Sequence, residues 1–448
     1  MLRNPFSLRI VPLVALWAAA GAAAQPPSDE TEKLPIDLGT ALRLADERNL
    51  DVAIHLERVA ETSARVAQAR LLAVPSVEIG STYERHHGTI QETGGSILDV
   101  DRVSRFTGLS AGLRVDIADA VFQPLVARQN RAAAQAAAAA NRHLVLLDVA
   151  TTYLGLLRAR AEAELASASL ERARDLERLT SDYAEVGEGL LADAELAAVQ
   201  PLRFEQRRAA AEERVAAAGA ELVRLLHLDP AVELEPAEAA VPLLEIFSGE
   251  EGAAELIARA LDSRPETEQL AALEAAAEAA VTAERYGFFI PSVGLDYRSG
   301  EFGGAPGGSI RDTDHRDDLA LVLSWRFEGF GLGSRARLEE KRAQLRQVAL
   351  ERERLRAAIA AEVRAEHARV VSLRAQLEPA ELAVVRARQA YALHRERIFD
   401  GEGMPLEALT AMQSLAEAEL AQLDVTAAYS LAQIRLYTAL GSPLDTQF

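Results

Sequence analysis

The sequence predicts a mainly α-helical protein with a small β part, laid out as a duplicated helix–strand–strand–helix plan. Three observations carry that expectation. Residues 319–327 read LALVLSWRF, so that Leu319, Leu321, Leu323, Trp325 and Phe327 share one face of a strand and Ala320, Val322, Ser324 and Arg326 the other. The same period-two alternation returns at residues 107–117, where Leu109, Ala111, Leu113, Val115 and Ile117 face one way. Elsewhere the chain is rich in Ala, Glu, Leu and Arg and holds long stretches free of strong helix breakers. Finally, its landmarks occur twice at a nearly constant offset.

A strand of about 9–11 residues suits a tilted bilayer crossing, and aromatic residues favour the water–lipid boundary. The row from Leu319 to Phe327 is therefore expected to face lipid.

Residues 1–24 read as a secretory signal. Arg3 and Arg9 give a basic start, residues 10–20 form an apolar run, and Ala22-Ala23-Ala24 precede Gln25 as a small-residue cleavage site. That run is short for an uncleaved spanning anchor. The alanine-rich segment 132–140 is only weakly lipophilic and is flanked by Arg131 and Asn141. The chain has no cysteine, which excludes disulfides, thiolate metal sites and an acylated N-terminal cysteine. Without the two signal arginines, 46 basic residues stand against 68 acidic ones, a net charge of −22. This excess argues against nucleic acid or an anionic membrane surface as partner, and fits a lumen or surface that repels anions.

The repeat organises the remainder. Pro75-Ser76-Val77 is echoed by Pro291-Ser292-Val293, 216 positions on, and residues 113–116 by residues 323–326, 210 on. Gly187-Glu188-Gly189-Leu190 is echoed by Gly401-Glu402-Gly403-Met404, and Asp229-Pro230 by Ser442-Pro443. The first repeat is placed at residues 25–229, a linker at 230–252 and the second repeat at 253–448.

Taken in order, residues 38–74 are expected to be helical, with Ala41, Leu42, Ala45 and Leu50 on one stripe. Strands follow at about 76–84 and 107–117, joined by a polar loop at 85–105 that carries His86 and His87. Pro124 is expected to open a helix reaching residue 186, roughly 95 Å at 1.5 Å per residue. Leu176, Leu179, Tyr183 and Val186 keep a coiled-coil spacing along it. A tip near 187–190 turns the chain into an antiparallel helix over 190–228, kinked at Pro201. Prolines 230, 236 and 242 mark the non-helical linker. The second half repeats the plan: a helix at 256–286, strands at about 292–300 and 317–328, a long helix at 334–399 with Pro379, a tip near 401–404, and a last helix opened by Pro405. Leu420, Leu423, Ala427, Leu431 and Ile434 form its seam.

Four strands cannot close a barrel, and lipid tolerates no open edge. The chain must therefore assemble with copies of itself: two give eight strands and a filled interior, three give twelve and a lumen. The long helices, each with a narrow apolar stripe, would continue the barrel as a tube. A periplasmic coiled-coil adaptor or scaffold that spans no membrane is the rival reading, but it needs no lipid-facing apolar row. No nucleophile–base or paired-carboxylate arrangement stands out, so an enzyme is not expected. Gly329, Gly331 and Gly333 have the wrong spacing for a dinucleotide loop, and Gly303 to Gly308 lack the lysine of a phosphate loop. His86 and His87 have no third ligand near them in sequence. No cofactor and no metal are expected.

These residues resemble the TolC-like outer-membrane efflux proteins over nearly the whole mature chain. The resemblance rests on the duplicated order, the Pro-Ser-Val strand openings, the segment Trp325-Arg326-Phe327-Glu328-Gly329 and the glycine-containing hairpins at Gly187 and Gly401. It implies a homotrimer in outer-membrane lipid, with a shared 12-stranded barrel and a helical periplasmic tunnel. It further implies a periplasmic adaptor at the tunnel's inner end and, through that adaptor, an inner-membrane pump of RND or ABC type. Carried over by position, Gly187, Glu188, Gly189, Leu190 and Asp193 fall at the first tip, and Gly401, Glu402, Gly403, Met404 and Glu407 at the second. The implied roles are adaptor docking for the tips and a periplasmic gate for Glu407 and Asp193. Thr410 stands where better-known members place a second acid, and Ile398 and Gly403 stand where they place a gate Tyr and Arg. One acidic ring and fewer polar gate links are expected.

Overall fold

The computed structural model describes residues 33–187, 189–307, 309–326, 328–399 and 404–444. Two helices set its length: α3 (Ile117–Glu185) and α7 (Leu332–Phe399), of 69 and 68 residues, each about 100 Å long at 1.5 Å per residue. Each is flanked end to end by shorter helices. Beside α3 lie α2 (Leu50–Arg70) and α4 (Leu191–Leu225); beside α7 lie α6 (Pro265–Gly287) and α8 (Pro405–Ala439). Both hairpins follow from their breakers, glycine at the first tip and Pro405 at the start of α8.

At one end stand four strands: β2 (Ser76–Gln91), β3 (Ile97–Asp116), β5 (Ser292–Pro306) and β6 (Asp314–Ser324). They form a single antiparallel sheet in the order β2-β3-β5-β6, the two halves of the chain joining at β3–β5. Among the described residues, no helix is long and apolar enough to cross a membrane.

A belt surrounds the middle. β1 (Lys33–Ile36) pairs in parallel with β4 (Glu233–Pro236), which lies inside the linker. The belt helices are α1 (Leu38–Arg48) on α3 and α5 (Ala253–Ser263) on α7. A core of Ile36, Leu42, Leu146, Val149, Leu156, Leu222 and Leu226 ties α1, α3, α4 and β1 together. Leu256, Ile359, Val363, Val370 and Leu436 form its counterpart in the second half. The linker is stitched to α8 by two fully buried polar side chains. The Gln433 carboxamide accepts from Ile246 and Phe247 N–H at 3.2 and 2.8 Å and donates to Phe247 C=O at 3.0 Å. Ser430 accepts from Leu244 N–H and donates to Pro242 C=O.

Four expectations need correction. The helix placed at 38–74 breaks at Asn49, whose Oδ1 accepts from Asp51 N–H at 2.8 Å and so starts a new helix, α2. Its Nδ2 also donates to Leu225 C=O at the end of α4. The helix placed at 256–286 breaks at the equivalent point, where Arg264 precedes Pro265 and donates to Ala439 C=O at the end of α8. The long helix starts at Ile117 and not at Pro124, because Asp116 caps it by accepting from Asp119 N–H at 3.1 Å. Pro124 is then the eighth helical residue, just past two turns in, so its missing N–H costs one helical hydrogen bond close to the helix end. Last, the loop placed at 85–105 is mostly strand: β2 and β3 pair from Ser76↔Gly112 to Gln91↔Ile97, with His86 opposite Arg102 and His87 opposite Asp101. Polar side chains are no obstacle to a strand that has water beside it. At the other end β6 stops at Ser324, and residues 328–331 form a 3-10 turn.

Tyr153 of α3 locks the belt. Its hydroxyl donates to Ile36 C=O at 3.0 Å and contacts Glu238, and burial beside that carboxylate raises the phenol's pKa. Tyr153→Phe is expected to cost about 1–2 kcal/mol locally. Hydrogen exchange would read this as faster exchange at residues 33–36 and 233–236, with the tips unchanged.

Candidate functional site

The sheet has two chemically distinct faces, and the register aligns them across all four strands. Val77, Ala111, Tyr297 and Leu319 lie side by side. Next to them come the rows Leu113, Leu295, Leu321 and Val115, Val293, Leu323. Ile79 extends the apolar face on β2, opposite Leu109. The opposite face carries Glu78, Ser110, Arg298 and Asp318 in one row, and Arg114, Gly294 and Val322 in another. The apolar face is open: Ile79 is 82% exposed, Leu321 74% and Leu319 72%. Leu323 and Trp325 are exposed as well, and Trp325 donates its indole N–H to Phe289 C=O. Phe327 lies outside the described residues. Exposed apolar side chains aligned across neighbouring strands form a contiguous patch of the kind that marks a contact with lipid or with another protein. β2 and β6 are the sheet's edges.

At the far end of the long helices, Gly187 takes a φ of +82°, which an L side chain adopts only with strain. Gly189 is needed for space: a Cβ there would lie 2.9 Å from Tyr183 Cδ1 and 3.1 Å from Ala184 N. Its own N–H donates to Tyr183 C=O at 2.9 Å, closing the turn. Leu190 caps α4 through its carbonyl, which accepts from Asp193 N–H at 3.0 Å, and this puts Asp193 in the first turn. The second tip is built alike, with Met404 C=O accepting from Glu407 N–H at 3.0 Å. Glu188, Gly401, Glu402 and Gly403 lie outside the described residues. The tips expose Val186, Leu190, Leu191, Met404 and Leu406.

Sequence reasoning missed the partners of Glu407. Its Oε2 lies 3.2 Å from Arg397 Nη1 and 3.3 Å from His394 Nδ1, both near the end of α7. Arg397 and His394 stand ten and thirteen residues upstream across the tip, a spacing legible only once the hairpin is known. Thr410 turns back on its own helix and donates to Leu406 C=O. Ile398 is buried with Leu176, Phe204, Ala408 and Met412, where the two hairpins pack together. Further up, Arg172 and Glu419 pair at 2.5 Å and Arg158 and Asp424 at 2.7 Å, linking α3 to α8.

No curated protein matches the chain in sequence. Residues 256–442 match the family described as outer membrane efflux protein. Among solved structures, the outer-membrane channel OprN is 19% identical and superposes with a TM-score of 0.79, over 90% of either chain. The outer membrane protein VceC of Vibrio cholerae is 18% identical, with a TM-score of 0.75 over 91% of this chain and 96% of that one. The MtrE outer membrane channel of Neisseria gonorrhoeae, in its open state, is 20% identical, with a TM-score of 0.74 over 92% and 91%. The helical hairpins, the small sheet with its open apolar face and the superpositions lead to one statement: this chain has the fold of these outer-membrane channels, and its residues 256–442 match the outer membrane efflux protein family.

Proposed function

We propose that three copies of this chain close a twelve-stranded barrel in the outer membrane, which their helices continue into the periplasm as a tunnel. The duct is passive. It serves a tripartite efflux or type I secretion system whose energy comes from an inner-membrane pump of RND or ABC type, and it opens when a periplasmic adaptor meets the hairpin tips. The observation that carries this reading is the four-stranded sheet with one apolar face and two open edges. In hydrocarbon every backbone N–H and C=O needs a partner, so the β2 edge of one copy has to pair with the β6 edge of the next. The apolar rows then face lipid and the polar rows the lumen. Exposed leucines, valine and methionine at the tips, away from the lipid, give an adaptor an apolar surface to meet. Glu407 and Asp193 stand at the entrance, with Glu407 neutralised in part by Arg397 until the tips move. Periplasmic duct closure is thus set within each hairpin as well as between copies.

The deciding experiment is purification in detergent followed by reconstitution in a planar bilayer. A trimer that conducts ions supports the duct; a stable monomer in detergent-free buffer overturns it.

Two substitutions refine the reading. Leu321→Arg, on the proposed lipid face, is expected to cost about 2–4 kcal/mol of barrel stability near the bilayer midplane, measured by folding into lipid vesicles. Val322→Arg, one residue on and facing the polar side, should fold normally, and equal loss in both would reverse the assignment of faces. Gly189→Leu forces Tyr183 aside at the tip and is expected to abolish export while trimers remain in the membrane. Normal export by that variant would remove the docking role.

A further inference from the structure

Where the strands meet the helices, a crevice of about 580 Å³ opens on the polar side of the sheet. Its walls come from the ends of β3, β5 and β6 and from the facing ends of α3, α6 and α7. Four cationic side chains line it, Arg114, Arg326, Arg337 and Lys341, in a chain whose overall charge is strongly negative.

The three acids that share the crevice do not cancel them equally. Glu284 is engaged by Arg337 at 3.3 Å. The Asp116 carboxylate keeps its charge and is held at the α3 N-terminus, where it accepts from Asp119 N–H. Asp119 makes no ion pair among the described residues. Against it stand Arg114 and Arg326, both exposed and, among the described residues, without a hydrogen bond or ion pair. They come from different strands. Arg114 is opposite Gly294 in the β3–β5 register, so no side chain fills the space across from it. Arg326 follows Ser324, the residue paired with Ser292 at the foot of β5. Two unpaired guanidiniums over a serine-lined floor offer planar forks for carboxylate or phosphate oxygens. The volume lies in the range of small-molecule pockets.

We propose that this crevice is an anion-binding station inside the duct, taking soluble solutes with two or more negative charges, such as phosphorylated or polycarboxylate compounds. The inference rests on the duct reading, which turns the polar face toward the lumen. A trimer would carry three such crevices in one ring at the base of the barrel. That ring offsets the acidic charge of the chain at the point where cargo leaves the tunnel.

The test is single-channel recording in a planar bilayer at low KCl concentration, with inorganic pyrophosphate added stepwise to either chamber. Pyrophosphate is expected to reduce current through the unaltered trimer. In the double variant R114A/R326A the half-blocking concentration should rise by about tenfold. The single variants R114Q and R326Q should each raise it by about threefold, and these keep the test standing if the double variant fails to assemble. Arg298→Ala, higher on the same polar face and outside the crevice, should leave block within about twofold. Current insensitive to pyrophosphate, variants that conduct and keep full block, or R298A weakening block equally would each overturn the site while leaving the duct intact. Chains that form no conducting trimer would instead overturn the duct.

Discussion

A strand edge in hydrocarbon has no solvent to satisfy it, and much of this molecule follows from that one fact. Among the described residues, a single chain supplies four antiparallel strands with apolar side chains aligned on one face and leaves the outer edges of β2 and β6 without strand partners. In water such an object would aggregate through its edges and its face alike. In a membrane the same two features become complementary, because edge pairs with edge and the apolar face meets lipid. Hydrogen bonding therefore asks for other copies, and the lipid decides which side of the sheet points outward. The helices inherit that arrangement, since α3 leads directly from the foot of β3 and α7 follows β6 after the 3-10 turn at 328–331.

Length raises a second problem. A helix of about 100 Å with a modest apolar stripe has little stability by itself, and most helical stability comes from packing. Here each long helix is covered by two shorter ones laid end to end, and each junction between the short helices is fastened by one side chain reaching a helix terminus. Asn49 does this by donating to Leu225 C=O, and Arg264 does it 215 positions later by donating to Ala439 C=O. One is a neutral amide that also caps α2. The other is a guanidinium whose charge is answered by Glu362 at 2.8 Å. The same geometric need has been met by different chemistry in the two halves, and position has been kept where residue type has not.

This explains how far the sequence could be read. Strand positions were legible where one face is apolar, as at Leu109 to Val115 and Leu319 to Leu323, since alternation is the direct imprint of lipid on one side and polar groups on the other. They were not legible where both faces are polar, as where β2 and β3 continue through Arg85, His86, Asp99 and Asp101. There both faces are wet and alternation carries no signal. The long helices were legible from their lack of breakers, yet the start of α3 was misplaced, because Pro124 resembles an opening residue while the cap is Asp116. The strand β4 left almost no trace: four residues including a proline, paired in parallel with residues about 200 positions away. At the tips, the glycines marked the turn, but the ion cluster of Glu407 with Arg397 and His394 depends on how the hairpin brings its two arms together.

The seam between the halves has its own consequence. Gly108 and Gly300 stand opposite each other in β3 and β5, and a Cβ on Gly108 would lie 2.3 Å from Ser299 O, while one on Gly300 would lie 2.5 Å from Thr107 O. In both cases the obstacle is main chain, which every amino acid shares. No change in the facing strand can make room, so a substitution on one side has no compensating partner on the other. Most of either strand can change without regard to the other half, but at this crossing each half limits what the other can carry.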